Sequence, residues 1–215
     1  MKTIKITRFI KLFDKGLAVK AVLCATVFAM ILNICGVNAE CEEIKKNVLR
    51  LHIIANSDEP HDQALKLKVR DRLLEQSESV FADCISEKEA EESAVLSLDL
   101  FQKTAESVIA ENGYEYEVRV ELGNVWFERR DYDGFSLPAG EYEALRVIIG
   151  DGKGKNWWCV MFPSVCLPAA RTQSSFDDVL ENDSVEIVQQ PKKYKARLKI
   201  VEIFNKTKRF LSKLL

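Results

Sequence analysis

Between Ala21 and Val37 the chain runs for seventeen residues without a charged side chain, interrupted only by Thr26, Asn33 and Gly36. Such a run is most stable as a helix, which closes its backbone hydrogen bonds on itself, and its length sits at the lower limit for crossing a bilayer. Lys2, Lys5, Arg8, Lys11, Lys15 and Lys20 precede or flank it, against Asp14 alone, and Val37-Asn38-Ala39 places small residues where signal peptidase needs them. Two readings follow for residues 1–39: an export signal cut after Ala39, or an uncleaved membrane anchor. Both put the remainder outside the cytoplasm. A lipid anchor is disfavoured, because Cys35 and Cys41 follow Asn33-Ile34 and Ala39-Glu40 rather than a run of small residues.

The charges are sorted along the chain. Residues 1–39 carry a net +5 and residues 191–215 a net +8, so the overall −2 leaves −15 for residues 40–190. A body that acidic repels nucleic acid, which excludes DNA or RNA as its partner. A length of 215 residues suits one core. The organisation expected is therefore a leader or anchor over 1–39, one exported domain over 40–190, and a basic tail over 191–215.

Within the exported part, Asn47 to Ala55 reads as a short strand ending in a turn at Asn56-Ser57-Asp58. Asp58 is placed to cap a helix, and Pro60 suits its first turn, so the spacing predicts a helix from Pro60 to Glu75. Leu65, Val69 and Leu73 stripe one side of it and Leu67 and Leu74 the other, with Gln63, Lys66 and Arg70 between them. A second amphipathic helix is expected over Ser86–Glu111. Then the period changes to two: Tyr114, Tyr116, Val118, Val120 and Leu122 alternate with Glu115, Glu117, Arg119 and Glu121, the pattern of a half-buried strand. Gly123-Asn124 reads as a turn into a return strand over Val125–Arg129, followed by a loop over Asp131–Gly140 and strands at Tyr142–Ile149 and Trp157–Phe162. The glycines between Gly150 and Asn156 form a hairpin loop, since no helix follows to cradle a phosphate. A short strand is expected at Val185–Val188. The fold class is α+β, a single domain with two helices packed on a mainly antiparallel sheet. Beyond Pro191, Leu198, Val201, Phe204, Leu211 and Leu215 recur at near-helical spacing among lysines, a basic amphipathic helix suited to an anionic membrane surface, an acidic partner, or the acidic body itself.

Four cysteines lie in the exported part. Cys159-Val-Met-Phe-Pro163-Ser-Val-Cys166 has a proline to bend the loop, and a disulfide closing so short a ring contributes about 2 to 3 kcal/mol. Cys41 with Cys84 would follow by elimination. In the competing reading all four are reduced core residues. His52 and His61 have no metal-ligand spacing, so neither a metal nor another cofactor is expected. A Cys/His hydrolase or cell-wall enzyme built on His52 and Cys159 is the alternative function, since a thiol and its base need only meet in space.

Two segments carry a family resemblance. Leu51-His-Ile-Ile-Ala-Asn-Ser-Asp58 with Asp62-Gln-Ala-Leu-Lys-Leu-Lys-Val-Arg-Asp71, and Asn156-Trp-Trp-Cys-Val-Met-Phe-Pro163 through Cys166, resemble the signatures of the stage II sporulation protein R family. The chain departs from that family where Pro163-Ser164 stands in place of Pro-Pro. The resemblance implies a non-catalytic protein of an endospore-forming bacterium, sent into the space between forespore and mother-cell membranes. Its partner there would be the membrane-embedded aspartic protease that processes pro-sigma-E. The face expected to meet that receptor comprises Asn56, Ser57, Asp58, Gln63, Lys66, Arg70, Trp157 and Trp158, tryptophan and arginine being the commonest interface anchors.

Overall fold

A computed structural model describes residues 15–132, 134–165 and 174–212. Helix α1 (Lys15–Lys46) leads into strand β1 (Leu49–Ile54), then helices α2 (Pro60–Val80), α3 (Glu87–Leu96) and α4 (Leu98–Glu111). Strands β2 (Val118–Phe127), β3 (Arg130–Asp131), β4 (Ser136–Leu137), β5 (Gly140–Ile149) and β6 (Asn156–Phe162) follow, and helices α5 (Ser174–Asp177), α6 (Asn182–Gln189) and α7 (Pro191–Ser212) close the chain.

The main sheet has the order β2-β5-β1-β6. Its β2–β5 and β1–β6 ladders are antiparallel, and β1–β5 is parallel. The fold is thus α+β with a mainly antiparallel sheet. Every residue of the central strand β1 is buried, because both of its faces are covered. Leu49, Leu51 and Ile53 meet Leu65, Val69 and Leu73 of α2 and Phe101, Ala105 and Ile109 of α4 on one side. Val48, Tyr142, Ala144 and Val160 meet Val37, Cys41 and Ile44 of α1, Ile187 and Val188 of α6, and Leu198 and Val201 of α7 on the other. The periodicity shows the first helical layer; the second is assembled from the two chain ends.

Several local expectations are corrected. The span Ser86–Glu111 is two helices broken at Ser97, and Ser86 caps the first by accepting from the Glu89 amide at 3.3 Å. Gly123-Asn124 does not turn: β2 continues to Phe127, held by an unbroken register from Val118↔Ile149 to Phe127↔Gly140. A ten-residue ladder outweighs the local turn propensity of two residues. Within the loop 131–140, β3 and β4 pair. Val185–Val188 is helical, because Ser184, Ile187 and Val188 present one buried face at i, i+3, i+4. The 150–156 loop is no hairpin either, since β6 pairs with β1 rather than β5. It passes over the end of β1 instead.

α1 runs unbroken through Ala39, and the most apolar stretch within Leu17–Lys46 has a mean hydropathy of 2.2 and is unburied. It is a helix of membrane-crossing length and composition, the form a signal or an anchor takes. Below it, Val37, Cys41 and Ile44 are core residues.

Candidate partner-binding site

The turn after β1 is tied down by its own side chains. Asp62, in the first turn of α2, is 2% exposed, and its Oδ2 accepts from Asn56 Nδ2 at 2.8 Å and Ser57 Oγ at 2.6 Å. Burial alone would raise the Asp62 pKa, but hydrogen bonds from Ser57, Asn56 and Tyr116 hold it below the usual carboxylate range. Asp58 does not cap α2 as expected. Glu59 occupies the cap position without a side-chain bond, and Asp58 Oδ1 accepts instead from the Lys155 amide at 2.7 Å.

The same turn binds the loop between β5 and β6. Asn56 Oδ1 accepts from the Asp151 amide at 3.0 Å, the Asn56 carbonyl from the Lys153 amide at 3.1 Å, and the Ala55 carbonyl from the Gly154 amide at 2.9 Å. Glycine is required at two of these approaches. A Cβ on Gly150, whose φ is +56°, would sit 2.3 Å from Asn56 Oδ1, and one on Gly154 would sit 2.2 Å from the Ser57 carbonyl oxygen. On the α2 side Gln63 Nε2 donates to the Ser57 carbonyl at 2.8 Å. Lys66 donates to Gln63 Oε1 at 2.7 Å and to the Lys155 carbonyl at 2.9 Å, and burial lowers its pKa.

Of the eight residues expected to form one face, seven therefore gather where β1, α2 and the 150–156 loop meet. Most of their polar atoms are spent on one another. Asp58 is the most exposed of the seven, while Arg70 and Trp157 are half-buried: the Arg70 guanidinium lies 4.4 Å from the Trp157 ring centroid, and Arg70 Nη2 pairs with Asp71 at 2.6 Å. Trp158 lies on the other side of the sheet, as strand alternation requires. It stacks on His52 at 3.7 Å and meets Phe127 edge-on at 4.7 Å.

His52 faces Trp158 across the β1–β6 ladder, and Cys159 faces Leu51. The imidazole and the thiol position thus belong to opposite faces of the sheet, with His52 Nε2 already bound 2.8 Å from Asn156 Oδ1. Burial pushes the His52 pKa down to about 4. Cys41 and Cys84 are free thiols, which corrects their expected pairing; Cys41 is buried under α1's side of the sheet and Cys84 packs on the α2–α4 side. The expected partner of Cys159, Cys166, lies outside the described residues. Among the described residues no group of three His, Cys, Asp or Glu side chains is placed to hold a metal ion.

Two structurally central positions are not evident from the sequence pattern. Asp62 stands in the sequence as an ordinary first-turn acid, although it is the acceptor around which the turn closes. Arg50 is fully buried, with its guanidinium 3.9 Å from the Phe127 ring centroid and 4.9 Å from that of Tyr142. It donates to the Cys159 carbonyl at 3.5 Å and to the Tyr132 hydroxyl. Burial lowers its pKa, and no carboxylate among the described residues pairs with it. A charge between two leucines in a buried strand was the available signal.

An α+β sheet domain set behind a membrane-length helix, its polar side chains turned inward to fix one loop, is the class of protein that these features define. The family model described as stage II sporulation protein R matches residues 45–172, over half the chain, and the chain belongs to that family. Stage II sporulation protein R of Bacillus subtilis (strain 168) is 34% identical over 123 residues, 57% of this chain and 55% of the relative, so the chain spans about half the length of that relative. No solved structure matches. Membership of the family gives the chain a role in sporulation.

Proposed function

We propose that this chain is an exported activating ligand, delivered into the space between forespore and mother-cell membranes, where it switches on the membrane-embedded aspartic protease that cleaves pro-sigma-E. The observation that carries the reading is the family match, which spans β1, the Asn56–Asp62 turn, α2 and β6. The membrane-length α1 is consistent with export. A ligand of this kind does no chemistry of its own; it favours the active arrangement of its receptor by the difference in its affinity for the two states.

The receptor face centres on the Arg70–Trp157 stack, with Asn56, Ser57, Asp58, Gln63 and Lys66 as the braced ground beside it. A planar cation on an indole is a rigid anchor with little side-chain entropy left to lose on binding. Trp158 serves the same face indirectly, by fixing β6 from the other side. A Cys159–Cys166 disulfide would hold the chain as it leaves β6. The test is coexpression of this chain, the protease and pro-sigma-E in a non-sporulating host. Cleavage is expected only when chain and protease are both present; cleavage without the chain, or none with both, rejects the reading.

A further inference from the structure

Helix α7 is amphipathic on two sides. Leu198, Val201 and Glu202 are buried against the body. From Ile200, the residues at intervals of three, four, seven, ten and eleven are Ile203, Phe204, Thr207, Phe210 and Leu211, which puts them on the opposite side of the helix. The five apolar members of this outward stripe are 47 to 63% exposed. A contiguous apolar stripe of that kind marks a contact surface.

The charge around the stripe selects the occupant. Glu202 is the one acid of α7, and it is turned inward, where Lys199 reaches it at 3.1 Å and Lys206 at 3.0 Å. The stripe is therefore rimmed by Lys199 and Lys206 on one side, Lys206 pairing also with Glu128 of the body at 2.8 Å, and by Arg197 and Lys208 on the other, with no carboxylate of α7 between them. A second copy of α7 is a poor occupant, because two basic rims would meet. α7 also shares its core with the base of α1, Leu198 and Val201 packing among Val37, Cys41 and Ile44, so it sits beside a helix of membrane-crossing length. Apolar residues flanked by lysines on both sides suit a headgroup interface, where the stripe enters the acyl boundary and the amines reach the lipid phosphates.

We propose that the outward stripe of α7 seats on an anionic bilayer surface. The family match ends at residue 172, before α7 begins, so this contact is a property of the chain's own C-terminal segment. It rests on the exported placement proposed above and not on the receptor, and its test reads lipid contact alone, so a failed cleavage assay leaves it standing.

The experiment places a photoreactive benzoyl-phenylalanine at Phe204 or at Phe210 of the full chain, with Leu96 of α3, 87% exposed on the far side of the sheet, as the control position. Each chain is reconstituted in phosphatidylcholine vesicles with or without about one-third phosphatidylglycerol. α1 holds the chain on both kinds of vesicle, so only the position of the adduct reports α7. Lipid adducts at 204 and 210 are expected to exceed those at 96 by about tenfold in the anionic vesicles, and to fall several-fold without phosphatidylglycerol or in high salt. Adducts to a second copy of the chain, no lipid adduct at either position, or yields indifferent to phosphatidylglycerol would overturn the proposal.

Discussion

Trp158 lies flat on His52, their ring centroids 3.7 Å apart and their planes 18° from parallel. The stack buries the imidazole beside Asn156 and holds its pKa at about 4, below the ordinary value of 6.5. Between pH 6.5 and pH 4 the unfolded chain therefore takes up a proton that the folded chain refuses. His52 contributes its full stabilisation above pH 6.5, and loses it as the pH falls through that window, by about 3 kcal/mol at most. Chemical denaturation of wild type and His52→Gln should show a stability gap at pH 7 that narrows by pH 4.5. A gap that stays constant contradicts the assignment.

The buried Arg50 makes an opposed pair of predictions. Arg50→Ala removes a guanidinium that fills the space among Phe127, Tyr132 and Tyr142, and should cost about 3 kcal/mol or more. Arg50→Met keeps most of the volume and removes the desolvated charge, so it should cost less than about 1 kcal/mol. Urea midpoints at pH 7 measure both. Equal losses for the two substitutions would mean that the charge itself, not the packing, is what the site needs.

At the turn after β1, Asp62→Asn keeps the shape but removes the anionic acceptor shared by Asn56 and Ser57. It should cost about 2 kcal/mol and speed amide exchange across residues 150–156, which lean on Asn56 and Asp58. Gly154→Ala attacks the same junction from the other side, by pushing a methyl into the Ser57 carbonyl. It should also cost about 2 kcal/mol and loosen the same amides.

The two adjacent tryptophans should behave differently. Trp158→Ala opens the core around His52 and Phe127, and should lower stability by about 3 kcal/mol. Trp157→Ala and Arg70→Glu should leave a folded, exported chain, losing about 1 kcal/mol or less, yet abolish pro-sigma-E cleavage in the coexpression assay. Normal cleavage by both of these variants would remove the Arg70–Trp157 stack from the receptor face.

What the sequence disclosed and what it withheld divide along the range of the interactions. The first helices and the core of β2 were legible because Leu65, Val69 and Leu73, or Val118, Val120 and Leu122, repeat at a period set by local geometry. The turn at Asn56-Ser57-Asp58 was legible as a turn. Its partners were not, since Asp58 finds Lys155 and Asn56 finds Asp151 across nearly a hundred residues. Gly123-Asn124 misled for the same reason: the ten-residue register with β5 is a tertiary fact that no two-residue propensity contains. The outward stripe of α7 was hidden inside a single apolar pattern, in which Leu198 and Val201 serve the core while Phe204 and Leu211 do not.

α1 passes from its bare apolar stretch to the buried Cys41 and Ile44 with no break at Ala39. A peptidase needs an unwound strand in its cleft, and here the bond after Ala39 lies in mid-helix and joins it to Glu40, whose carboxylate accepts from Ser184 at 2.7 Å. Were signal peptidase to act there, trimming and folding would be rivals in time: an early cut would leave an amino terminus at Glu40, whereas a helix formed first would shield the bond and leave the chain tethered.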